Sequence, residues 1–111
     1  MSKMISLCLN TEFRRAYYKG KAFVSSGLIT YVLKNRLGVN RIGITTSKKI
    51  GIAVKRNRAR RIIRAAYSSL NGNLNEGYDI VFVARSKTTA LKSDDVLLIM
   101  TKQLKDAGVL N

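Results

Sequence analysis

With 111 residues, 46% of them hydrophobic and none of them proline, the chain has the size of one domain with a modest core. Its 21 Lys and Arg face 6 Asp and Glu with no His, a formal charge of +15 that speaks to a polyanion partner rather than to a fold. Without His and with Cys8 as the single cysteine, the usual acid–base and thiol arrangements and an internal disulfide are excluded, and no apolar run approaches membrane-spanning length.

The apolar stretch from Met4 to Leu9 is too short for a signal segment and is interrupted by Ser6, so a soluble cytoplasmic protein is expected, with Cys8 as a small buried residue. Asn10 or Thr11 is placed to cap a first helix through about Tyr18, with Glu12 in its first turn and Gly20 at its end. Phe13 and Tyr17 then share one face. Three strand-like segments follow, a weak one around Ala22 to Ser25, then Leu28 to Leu33, then Arg41 to Ser47 after the turn signals Gly38 and Asn40.

The period changes next, because Ala59, Ile62, Ile63, Ala66, Tyr67 and Leu70 recur at helical spacing and predict an amphipathic helix from near Val54 to Leu70. After a turn from Asn71 to Gly77, Tyr78 to Ala84 is apolar on both faces and suits a central strand. Asp94 and Asp95 favour the start of a last helix at Ser93, with Leu97, Met100, Leu104 and Ala107 along one side and Gly108 as its stop. The order α-β-β-β-α-β-α reads as a single α+β domain, a four-stranded sheet packed with three helices.

Charge is unevenly placed along this order. Residues 1 to 67 carry 16 basic residues and only Glu12, while the remainder carries five of each sign. The basic concentration peaks on the amphipathic helix as Lys55, Arg56, Asn57, Arg58, Arg60, Arg61 and Arg64. Arg56, Arg60 and Arg64 are spaced i, i+4, i+8, which predicts an outward guanidinium array with no acid to neutralise it.

Crowded like charges disfavour a helix, and a phosphate backbone offsets that cost, since planar guanidinium forks suit phosphate oxygens. Lys48 and Lys49 add cations before a helix N-terminus, itself favourable to anions. Nucleic-acid contact is the preferred reading, a solvated basic face the bland one, and a membrane surface the rival polyanion. Phe13 and Tyr17, beside Arg14, Arg15, Lys19 and Lys21, would suit unpaired nucleotides, although core packing explains aromatics equally simply. Asp94 and Asp95 point in different directions on a helix, and Glu12, Glu76, Asp79 and Asp106 lack ligand-like spacing, so catalysis by the chain alone is not expected.

Ser47, Lys48, Lys49, Ile50, Gly51, then Ala53, Val54, Lys55 and the triplet Arg56, Asn57, Arg58, continuing through Arg61 and Arg64 to Tyr67, resemble the signature of the bacterial ribonuclease P protein component. Similarity extends to Thr11 through Gly20, Arg41 to Ser47 and Asp79 to Arg85, so nearly the whole chain is covered. One departure is Ile52, where the family often has Asn or another polar residue, which leaves open what that side chain does toward RNA or metal.

The resemblance implies a left-handed strand-helix-strand crossover, contrary to the usual right-handed rule. It implies a subunit of an endonuclease that removes 5′ leaders from precursor tRNA, with the basic helix on a catalytic RNA and Mg²⁺ held mainly by that RNA. It also implies a leader cleft at Phe13, Tyr17 and Tyr31, with Phe23 and Tyr18 closer to core, and requires neither a membrane nor a protein partner. A structural RNA-binding protein and a self-sufficient nuclease are the alternatives.

Overall fold

The longest β-branched apolar run, Tyr78–Ala84, forms the central strand of a mixed sheet in the computed structural model, which describes residues 5–7, 10–70 and 72–110. In chain order the elements are β1 (Ile5–Ser6), α1 (Asn10–Lys19), β2 (Lys21–Val24), β3 (Leu28–Lys34), β4 (Arg41–Thr45), α2 (Ala53–Leu70), β5 (Tyr78–Ala84) and α3 (Ser93–Asp106). Cys8 and Asn71 lie outside the described residues. The four predicted strands and three helices are present in the predicted order. The two-residue β1 is additional, because so short a segment carries no readable period.

The strand order is β1-β4-β5-β3-β2, with β4 parallel to β5 and β3 antiparallel to it. Helix α2 therefore connects neighbouring parallel strands. Side chains alternate across each strand, and the register aligns Ile42 with Ile80 and Thr30 with Phe82 on one face, and Gly43 and Tyr31 with Val81 on the other.

The first face packs against Ala59, Ile63, Ala66 and Tyr67 of α2 and Val96, Met100 and Leu104 of α3. The second is covered by α1, through Ala16 and Phe13 over Val81, Tyr31 and Val83. The α3 stripe is centred on Val96, Met100, Gln103 and Leu104, with the expected Leu97 and Ala107 at its margin.

Gln103 survives in this core because its polar atoms are bonded: Oε1 accepts from Thr30 Oγ1 at 2.6 Å, and Nε2 donates to the Phe23 and Leu28 carbonyls at 2.9 and 3.1 Å. The side chain ties α3 to the β2–β3 hairpin. At the start of α3, Asp95 accepts the Lys92 backbone N–H at 3.0 Å, as expected of an acid in the first turn.

The position of α1 is fixed by charge as well as by packing. Arg41, beside Asp79 across the parallel pair, donates to both Asp79 carboxylate oxygens at 2.8 Å and also pairs with Glu12 of α1. Asn35 Nδ2 donates to Asp79 Oδ1 at 2.8 Å. Burial alone would push the Asp79 carboxyl up; the hydrogen bonds from Arg41 and Asn35, with the charges of Arg41 and Arg15, outweigh it and leave it below the ordinary range. The hydrogen bond to Asp79 in turn raises the Arg41 pKa against its partial burial.

A depressed carboxylate contributes stability above its unfolded value of 3.8 and loses it as pH falls through the lower folded value. Asp79→Asn is expected to cost about 2 kcal/mol near neutral pH, less than a fully buried pair because Arg41 keeps Glu12 and some water. The variant should also lose part of the acid slope below pH 3.8 in urea melts taken across pH. Equal stability of both proteins at neutral pH would show that the Arg41 pair does not hold the fold.

Candidate RNA interface

On α2, burial of Ala59, Ile63, Ala66 and Tyr67 leaves the other faces to cations. Asn57, Arg60, Arg61 and Arg64 line one shallow groove with Val54, about 430 Å³ in volume. Arg58 and Arg61 line a second of about 320 Å³ with Ile62, Ala65 and Ser93 at the start of α3. Arg61 is thus shared by both. None of these arginines has a carboxylate partner among the described residues, and Arg60 donates to Thr46 Oγ1 at 3.2 Å. Lys55 and Lys49 are exposed at the approach to the helix.

Arg56 departs from the predicted outward array. It stands three residues before Ala59 and seven before Ile63, on the core-facing side, and is half-buried with its Nε enclosed and without a hydrogen-bond partner. The outward array is therefore Arg58, Arg60, Arg61 and Arg64.

Lys48–Ile50 form a 3-10 turn anchored by the buried Ile50, and Gly51 then adopts φ +131°, a left-handed conformation that favours glycine. Ile52, 68% exposed, accepts the Lys55 and Arg56 backbone N–H groups through its carbonyl while its side chain offers solvent no polar atom.

The second surface lies on the opposite face of the sheet. Phe13 rests on Gly43, where any Cβ would collide with its ring, so the glycine of β4 sets how deeply α1 sits. Tyr17 meets Tyr31 edge-on, with ring centroids 4.9 Å apart and planes at 77°. Phe13 and Tyr17, with Asn10, Arg14, Tyr18 and Thr45, line an open groove of about 670 Å³.

The three predicted groove aromatics are brought together, and Tyr17 stays 39% exposed. Tyr18 corrects the sequence expectation of a core residue: one helical step past Tyr17, it is 82% exposed on the groove rim. Phe23 is half-buried against the α2–α3 core, as expected. Of the neighbouring cations Arg14 reaches the groove, whereas Arg15 falls on the other flank of α1.

The sequence reading missed the Glu12–Arg41–Asp79 clamp. One signal pointed to it: Asp79 is an acid inside an otherwise apolar central strand, and a buried carboxylate requires a cation or several donors. Among the described residues, no group of three or more His, Cys, Asp and Glu is placed to hold a metal ion. Tyr67, pushed up to about 12 by burial, stays a neutral phenol packed on Phe82, with ring centroids 5.7 Å apart.

An α+β protein with an un-neutralised arginine helix on one face of its sheet and an open aromatic groove on the other has the features of the class of small RNA-binding subunits. The family model for ribonuclease P matches residues 1–108. The ribonuclease P protein component of Clostridium botulinum strain Langeland is 40% identical over 103 residues, covering 92% of this chain and 93% of that protein. That of Clostridium novyi strain NT is 41% identical over 113 residues and covers both chains completely. Among solved structures, the RNase P protein of Staphylococcus aureus superposes with a TM-score of 0.85 at 29% identity, covering 98% of this chain and all of that one. That of Thermotoga maritima gives 0.80 at 26% identity, over 91% and 96%.

The chain belongs to the ribonuclease P protein component family. It is the protein subunit of the ribonucleoprotein endonuclease that processes the 5′ leaders of tRNA.

Gly43→Ala tests the geometry of the groove. The added methyl should displace the Phe13 ring, shift the Phe13 and Tyr31 ring resonances, and lower stability by about 1 to 3 kcal/mol, as overpacking does. Unchanged resonances would show that Phe13 does not rest on this strand.

Proposed function

We propose that the two surfaces divide the work of the subunit: the α2 face, with Lys48, Lys49, Lys55, Asn57, Arg58, Arg60, Arg61 and Arg64, binds the catalytic RNA, and the groove of Phe13, Tyr17 and Tyr31 holds the single-stranded leader of precursor tRNA. The observation that carries this reading is their separation, since α1 and α2 cover opposite faces of one sheet. One protein can then engage two RNA segments at once.

On the α2 side the contribution is electrostatic. Each guanidinium that meets a phosphate releases condensed counterions, so affinity falls steeply with salt. On the α1 side, ring faces stack on unpaired bases at about 1 to 3 kcal/mol per base, with Arg14 placed to follow the phosphates. Stacking of this kind accepts any base and requires an unpaired strand, so it distinguishes a precursor with its leader from mature tRNA.

The chemistry belongs to the RNA subunit, and Mg²⁺ would activate water and stabilise the leaving oxygen there. Among the described residues no three acids are grouped to hold that ion, and Glu12 and Asp79 are both engaged with Arg41. The protein instead lowers phosphate repulsion in the complex. The bacterial cytoplasm, where tRNA precursors are made, is the compartment this role requires; no helix among the described residues is long and apolar enough to cross a membrane.

Cleavage of precursor tRNA at low Mg²⁺ by a bacterial ribonuclease P RNA, with and without the protein, tests the assignment. Efficient cleavage with a 5′ phosphate product is expected from the combination alone. Cleavage by the protein without RNA, or no effect of the protein on that RNA, would overturn it.

Two sets of substitutions separate the surfaces. Arg58→Ala with Arg61→Ala should flatten the log–log salt dependence of catalytic-RNA binding by about 0.7 to 0.9 per lost phosphate contact. Phe13→Ala with Tyr17→Ala should reduce the preference for precursor over mature tRNA by about tenfold per ring and leave catalytic-RNA affinity in place. Circular dichroism accompanies both, since unfolding of the second variant would return these rings to the core.

A further inference from the structure

A concavity of about 940 Å³, larger than the aromatic groove or either groove on α2, lies where β3 ends and β4 and β5 begin. It flanks α1 on the side away from Phe13, at the end of the strands opposite Thr45. Arg15 of α1, Lys34 and Arg36 at the end of β3, and Arg41 of β4 surround it, with Glu76 at the rim.

The charges here are not equivalent. Arg41 is engaged by Glu12 and Asp79, so those carboxylates are already committed to it. Arg15, Lys34 and Arg36 are exposed and have no ion pair among the described residues; with Arg41, four cations meet the three acids Glu12, Asp79 and Glu76, an excess of one positive charge, and Arg15 also adds to the field that holds the Asp79 carboxyl down.

The segment that presents Lys34 and Arg36 is held rigidly. Asn35 is buried, its backbone N–H donates to the Gly77 carbonyl at 2.9 Å, and its Nδ2 donates to the Val39 carbonyl at 2.9 Å as well as to Asp79. Its Oδ1 accepts the Leu37 N–H at 2.8 Å. Between these anchors Arg36 adopts φ +67°, a left-handed conformation unfavourable for a residue with a Cβ and maintained only where its surroundings enforce it. The fold therefore carries an arginine at this point instead of the glycine that the backbone prefers.

Resting on the reading of the chain as an RNA-binding subunit, we propose that this basin is a further anion site that takes RNA backbone phosphates between Arg15, Lys34 and Arg36. It is not a continuation of the α2 surface, because α2 packs on the other face of the sheet. With the aromatic groove on one flank of α1 and the basin on the other, the RNA track extends across the helix.

The test is Lys34→Ala combined with Arg36→Gly in the reconstituted holoenzyme. Glycine keeps the left-handed backbone while removing the charge. Arg15→Gln, on α1 and outside the loop, is the second variant should the loop substitutions perturb folding. Salt titrations are run in parallel for the protein on catalytic RNA, for the holoenzyme on precursor tRNA and for the holoenzyme on mature tRNA.

The double variant is expected to lower the salt slope by about 0.7 to 0.9 per lost contact and to weaken binding roughly tenfold in the arm whose phosphates fill the basin. Loss in the first arm assigns those phosphates to the catalytic RNA, loss with the precursor alone to the leader, and loss with both tRNAs to the tRNA body. Unchanged slopes and affinities in all three arms, for a folded variant, would overturn the basin. Arg58→Ala with Arg61→Ala serves as the independent control: if it is silent while the basin variants lose affinity, the α2 assignment fails and the basin stands.

Discussion

The clamp of Glu12 and Asp79 on Arg41 is the interaction on which the working geometry depends. It joins the first turn of α1 to the starts of β4 and β5, the two strands that also carry Gly43 and Val81 beneath that helix. The aromatic groove exists because α1 crosses the sheet at this depth and angle. Close packing of Phe13 on Gly43 fixes the depth, while the ion pair prevents the helix from pivoting on that contact. In a chain of +15, committing two of six acids to one arginine is itself informative. Among the described residues the other cations have no carboxylate partner; here the fold pairs one internally.

Much of this architecture was legible from periodicity. The change from alternation in Arg41 to Ser47 to helical spacing from Ala59 to Leu70, and the apolar run Tyr78 to Ala84, placed α2 and β5 nearly to the residue and β4 with two residues too many at its end. Asp79 inside an apolar strand signalled that a cation was needed, but its identity was not legible, because the clamp joins residues 29 and 38 positions apart. Gln103 was hidden for a related reason. A polar residue on an apolar stripe reads as an interruption until its three partners on the hairpin are in place.

Within the candidate interface, spacing predicted composition better than direction. The seven basic or amide residues of α2 are all there, but an i, i+4, i+8 row drifts around a helix of 3.6 residues per turn. Its first member, Arg56, lies over the core side while Arg60 and Arg64 face solvent. The same geometry separates Tyr17, which touches Tyr31, from Tyr18, which stands free on the rim. Resemblance to a family indicated which aromatics share a cleft; only the packed sheet shows why, since Tyr31 on β3, aligned with Val81 below α1, meets the edge of Tyr17, which lines the groove.

The central strand is what lets one small domain present two separate surfaces. Along β5, Ile80, Phe82 and Ala84 enter the core beneath α2, whereas Asp79 and Val81 support α1 from the other side. Because side chains alternate with a period of two, a slip of one residue would exchange these sets and bury the wrong groups on both faces. Asp79 resists such a slip, since its carboxylate is satisfied only opposite Arg41 and within reach of Asn35. The acid that looks misplaced in an apolar strand thus fixes its register, and through that register the placement of the arginine helix relative to the stacking groove. Both surfaces are exposed and adaptable in themselves; the spacing between them is set by the most buried charge near α1.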